Sequence, residues 1–112
     1  MVNDVFLVPS FQRKIEKIIK NKKEKEIIYK LINKVRNLGK NALKILDVRD
    51  QYLLCEMKVK RPPYRLYVMV DQSKDIFYIV DWEHKQKQEK VINELRKKLY
   101  TALKFGMDKI FI

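Results

Sequence analysis

Apolar positions along the chain fall into runs whose period changes several times, and each change marks an element. Val5 to Val8 form a short apolar run stopped by Pro9-Ser10, which reads as an opening strand followed by a helix start. Phe11, Ile15, Ile18 and Ile19 then recur at helical spacing and predict a helix over 11–20. A second stripe, Ile27, Ile28, Leu31, Ile32, Val35 and Leu38, predicts a helix over 23–38, closed by Gly39 where a left-handed C-cap is natural. Asn21-Lys22-Lys23 breaks the pattern, and the few polar residues between the stripes leave room only for a tight connection, so the two helices should form an antiparallel hairpin with both apolar faces on a common partner.

After Asn41 the period shortens. Leu43 to Val48 is a short apolar segment, Arg49-Asp50-Gln51 a turn, and Tyr52 to Val59 a strand with Leu53, Cys55, Met57 and Val59 on one face and Glu56 and Lys58 on the other. Pro62-Pro63 ends it, since neither residue has an amide proton for a ladder. The return strand over 64–70 places Leu66, Val68 and Val70 on one face and Arg65, Tyr67 and Met69 on the other. Residues 71–75 make a turn, 76–82 a third consecutive strand, and the helical period returns over 87–104 through Val91, Ile92, Leu95, Leu99 and Leu103. The last eight residues are too apolar for a solvated tail and are expected to pack. The order is β-α-α-β-β-β-β-α. It predicts an α+β fold over one domain, 1–112, with an N-terminal helical hairpin on a small antiparallel-rich sheet and a C-terminal helix.

Composition then narrows the function. Twenty-six Lys and Arg face 14 Asp and Glu, a net charge of +12, a field that favours polyanionic partners. The excess sits on the helical parts: 12 basic and 3 acidic residues over 12–44, 6 and 7 over 45–83, and 8 and 3 over 84–112. A bias toward helix-forming Lys and Glu predicts balanced charges, and these are not balanced. The single Cys55 makes neither an internal disulfide nor a Cys-based zinc site. No apolar run approaches the roughly 18 residues of a membrane span, and the N-terminus lacks the pattern of a secretory signal. A cytoplasmic protein without a membrane association is expected.

Three constellations could carry chemistry. Lys58, Arg65 and Tyr67 fall on one face of the predicted hairpin, with Lys60 and Arg61 at its tip, where cations could hold a phosphodiester and stabilise its developing charge; a solvated sheet face explains the same pattern. Glu83-His84-Lys85 ends the last strand and holds the one histidine. Asp47 followed by Glu56-Met57-Lys58 is a short form of the metal-nuclease signature in which two carboxylates hold magnesium, although that fold wants a helix where this chain continues through strands. Two glycines, at 39 and 106, rule out a Gly-rich phosphate loop.

Leu54-Cys55-Glu56-Met57-Lys58, then Pro63-Tyr64-Arg65-Leu66-Tyr67-Val68-Met69-Val70-Asp71, then His84-Lys85, in this element order, resemble the RelE/ParE toxin superfamily over nearly the whole chain. His84-Lys85-Gln86-Lys87 and the helix after it are similar to the HigB-like branch. The resemblance implies a toxin of a toxin–antitoxin pair: a ribosome-dependent mRNA endonuclease that needs neither metal nor cofactor, in which a basic cluster serves attack by the 2′-hydroxyl on the adjacent phosphate. It matches Lys58, Arg65, His84 and Lys85 to catalytic positions. Lys60, Arg61, Tyr67 and Lys87 would contact RNA. The implied partners are an acidic antitoxin, mRNA and ribosomal RNA, the chain being a monomer or weak dimer without antitoxin. Where such RNases often carry a tyrosine after the basic pair, this chain has Gln86-Lys87-Gln88-Glu89. A ParE-like gyrase inhibitor and a non-catalytic nucleic-acid-binding module of the same fold are the alternatives.

Overall fold

The computed structural model describes residues 2–107 and residue 110. In chain order its elements are β1 (Asp4–Leu7), α1 (Pro9–Lys17), α2 (Lys22–Leu38), a 3-10 turn over Gly39–Ala42, β2 (Lys44–Arg49), β3 (Tyr52–Val59), β4 (Tyr64–Asp71), β5 (Ile76–His84), a second 3-10 turn over Lys85–Lys87, and α3 (Gln88–Phe105). The five strands form one sheet in the order β1-β5-β4-β3-β2. β1 pairs parallel to β5, and every other pairing is antiparallel. The α+β order expected from the sequence is therefore present.

Local chemistry explains the helix boundaries. Pro9 opens α1, where its fixed φ suits the first turn and its missing N–H is no loss. α1 ends at Lys17, short of the expected residue 20, yet Ile19 beyond it is still buried. The Asn21 side chain accepts the Glu24 N–H at 3.1 Å and caps α2. α2 stops at Gly39, whose φ of +59° is strained for a residue with a side chain. A Cβ there would also come within 3.0 Å of Asn3 Nδ2. Asn3 is close because its backbone N–H donates to the Arg36 carbonyl at 2.8 Å, tying the end of α2 to the entry of β1.

The sheet is covered on both sides, which simple alternation along β3 and β4 did not predict. Residues 52–57 and 65–71 are buried on both pleats. The helical hairpin contributes Phe11, Ile15, Ile28, Ile32 and Val35 to the core, and Trp82 Nε1 donates to Glu24 Oε1 of α2 at 2.7 Å. α3 covers the opposite side, packing on β2, β3 and β5 with Val91, Leu95, Leu99 and Ala102 buried. Each of the larger side chains, Val91, Leu95 and Leu99, contributes about 1.5–3 kcal/mol by leaving water. The expectation that Arg65 and Tyr67 stand on an open concave surface is thus corrected: the apolar stripe of α3 needs a sheet face, and the hairpin already occupies the other.

A bulge fixes which residues share a face. The β4–β5 register runs Tyr67↔Asp81 and then Val68↔Ile79, leaving Val80 as the extra residue. Parity switches there. Trp82 joins Ile79 and Phe77 beneath the hairpin, while Asp81 and Glu83 turn to the side of Tyr67 and Arg65. At the C-terminus, Met107 is buried and Ile110 packs against the core; the remainder of the expected apolar tail, 108, 109, 111 and 112, lies outside the described residues.

Candidate nucleic-acid interface

The end of the sheet that carries the β3–β4 tip gathers most of the expected site. β3 and β4 place Lys58 directly across from Arg65, and β4 and β5 place Tyr64 across from His84 and Arg65 across from Glu83. The segment after β5 is fastened to the tip, because the Lys85 N–H donates to the Pro63 carbonyl at 2.8 Å. Lys58, Lys60, Arg61 and Lys85 are exposed around this junction. His84 is half-buried, and its Nδ1 accepts the Gln86 N–H at 3.1 Å, capping the short turn that leads into α3. Its ring meets Tyr64 edge-on with centroids 5.3 Å apart, and Tyr64 stacks on Trp82 at 4.9 Å and 8°. The aromatic pair holds the junction flat against the core.

Arg65 and Tyr67 are placed differently from expectation. Arg65 is 7% exposed, and its Nε lies 3.8 Å from Oε2 of the buried Glu56 without a hydrogen bond. Gln88, in the first turn of α3, donates from Nε2 to the same Glu56 oxygen at 3.1 Å. Tyr67 has no exposed surface, so the contact with RNA expected of it is corrected: its ring lies within the hydrophobic core. Burial first, and then the Glu56 carboxylate across the ladder, push its phenol up to about 12. Lys87 stands at the surface 3.9 Å from Glu83 Oε2, where it remains free to meet solvent.

Sequence reasoning missed how many carboxylates this face holds. Asp81 and Glu83 share a cation that was not anticipated, Lys14 of α1. Its Nζ donates to Asp81 Oδ1 at 2.8 Å, to the Trp82 carbonyl at 2.7 Å and to Glu83 Oε1 at 2.6 Å. Burial works against the Lys14 ammonium, but the hydrogen bonds to Asp81 and Glu83 and their charges outweigh it and raise its pKa. The only signal in the sequence was an unpaired acidic pair, Asp81 and Glu83, at the end of a strand. Two further lysines were also missed. Lys34 of α2 and Lys44 of β2 line one cleft with Lys58, and nothing in their spacing announces that meeting.

The metal-nuclease pairing is engaged otherwise. Asp47 lies 3.3 Å from Arg49 Nη1 and 3.4 Å from Arg96 Nε, while Glu56 is held by Arg65 and Gln88. Among the described residues no group of three or more His, Cys, Asp or Glu stands close enough to hold a metal ion. Cys55 is buried, and desolvation pushes its thiol up to about 12, which removes it from nucleophilic chemistry. Among the described residues no helix is long and apolar enough to cross a membrane. Against known proteins, no family model, no curated protein and no solved structure matches this chain.

Proposed function

We propose that this chain is a ribosome-associated mRNA endonuclease of RelE/ParE type, acting in the cytoplasm as the toxin of a toxin–antitoxin pair. The observation that carries it is the meeting of two basic segments: Lys58 stands across from Arg65, and the His84-Lys85 segment is bonded to the hairpin tip through the Pro63 carbonyl. In this mechanism a 2′-hydroxyl gives up its proton to water as its oxygen attacks the adjacent phosphate, the P–O5′ bond breaks, and the strand ends as a 2′,3′-cyclic phosphate and a free 5′-hydroxyl. Lys58 faces the phosphate and neutralises its added charge. His84 or Lys85 gives a proton to the departing 5′-oxygen. Arg65 acts beside it, as the buried charge across the ladder from Lys58. Lys60, Arg61 and Lys87 hold neighbouring phosphates, and the excess of lysine on the helices meets ribosomal RNA. An acidic antitoxin suits the same surface.

One observation favours a second reading, a ParE-like gyrase inhibitor or a non-catalytic nucleic-acid-binding module: Arg65 is buried and already paired with Glu56. The test adds purified protein to a translating cell-free extract and maps mRNA 5′ ends by primer extension. Lys58→Ala and His84→Ala are the variants of choice. Arg65→Ala is a poor one, since it strands the Glu56 carboxylate in the core at about 3–5 kcal/mol. New ends inside the reading frame, lost with Lys58→Ala, support the endonuclease. Intact mRNA with the wild-type protein overturns it in favour of the second reading.

A further inference from the structure

The cleft that holds Lys58 extends away from the hairpin tip, between the second half of α2 and the open ends of β2 and β3. Its volume is about 460 Å³, within the size range of small-ligand sites. Leu31, Leu38, Ala42 and Met57 give it an apolar lining, and Lys34, Lys44 and Lys58 stand around it with Asn41. Leu38 is 52% exposed although it sits on the apolar stripe of its helix. None of the three lysines has a carboxylate partner among the described residues, and the Asn41 side chain makes no hydrogen bond among them. The remaining polar lining residue, Glu56, has its carboxylate turned to Gln88 and Arg65.

We propose that this cleft is a subsite for one nucleotide of single-stranded RNA, next to the phosphate that Lys58 faces; the assignment rests on the reading of Lys58 as an RNA contact. Three exposed ammonium groups around a half-open apolar floor match a unit that is anionic at both ends and flat between them. The Asn41 amide offers a donor and an acceptor to a base edge. A duplex cannot enter, because the base must turn into the cleft to reach the floor. Lys58 belongs to both the cleft and the tip, so a strand bound in the cleft is led onto the His84-Lys85 junction. This continuity favours RNA over an acidic peptide, which would need the lysines but not the junction.

Binding of a 5′-labelled 12-nucleotide single-stranded RNA by fluorescence anisotropy tests it, together with cross-linking of a 4-thiouridine version. Leu38→Glu and Lys34→Ala/Lys44→Ala change exposed positions only, and Lys74→Ala, in the β4–β5 turn at the other end of the sheet, is the control. The expected result is a loss of about tenfold for each cleft variant and little change for the control, with cross-links in the peptides carrying residues 31–44 or 57–58. If the wild-type protein binds the RNA and both cleft variants bind it as tightly, the subsite is overturned while the functional proposal stands. If the wild-type protein does not bind RNA, both fall. Loss of polyglutamate binding in the cleft variants, with RNA binding intact, overturns the subsite in favour of an acidic protein partner.

Discussion

The Tyr67 hydroxyl lies across the ladder from Glu56 and finds no hydrogen-bond partner among the described residues, as do Glu56 Oε1 and Arg65 Nε beside it. A buried hydroxyl in that state costs stability, so replacing it with hydrogen is nearly free or favourable. Folding also keeps its proton on: the phenol moves from 10.0 to about 12. The folded form therefore binds that proton more tightly than the unfolded chain, a contribution complete below pH 10 and lost as pH rises from 10 toward 12. Cys55, raised from 9.0 to about 12, loses its own contribution over a wider alkaline window. Tyr67→Phe should match or exceed wild-type stability at pH 7, within about 1 kcal/mol, and should lose less between pH 10 and 12. Urea unfolding across that range measures both; a variant that is clearly less stable at pH 7 would show that the hydroxyl has a partner after all.

Between elements, Lys14 performs a task no periodicity reveals. β1 covers only the first half of β5, its last pair being Leu7↔Ile79, so the backbone edge of β5 beyond Ile79 would face solvent. α1 lies along that edge, and the Lys14 ammonium takes up the Trp82 carbonyl together with the Asp81 and Glu83 carboxylates. Lys14→Met removes the ammonium that all three share and should cost about 1–3 kcal/mol, with faster amide exchange in α1 than elsewhere in the molecule. Equal exchange acceleration throughout would sink the view of Lys14 as the local fastener of α1. Most of this framework was legible in sequence. The strand 52–59 emerged with its ends as expected, and Pro62-Pro63 and Gly39 marked real boundaries, because turn chemistry and apolar period are local. The parallel pairing of β1 with β5, the parity switch at Val80 and the burial of Arg65 were not legible, since each depends on partners distant in sequence. The site shared that fate: Lys58 and Arg65 were read correctly as neighbours on one face, but whether that face was open depended on where the stripe of α3 came to rest.

For the molecule as a whole, the charge is divided between layers. Several of its acids are spent internally, Asp47 on Arg49 and Arg96, Glu56 on Arg65, Asp81 and Glu83 on Lys14. The net +12 is therefore expressed by lysines that stand in solvent, and on the cleft and tip by Lys34, Lys44, Lys58 and Lys60. Each of these that meets a phosphate releases a condensed counterion, which sets how binding responds to salt. With about 0.7 of a counterion per contact on a single strand, four contacts give a slope of log affinity against log salt near −3. Raising potassium chloride fourfold should then weaken RNA binding by roughly fifty-fold, and Lys34→Ala/Lys44→Ala should flatten the slope by about 1.4 units. Anisotropy titrations over a salt series decide it. A flat response in the wild-type protein would mean that the exposed lysines serve solubility alone, and an unchanged slope in the double variant would move the phosphate track away from the cleft toward the tip and the turn after β5.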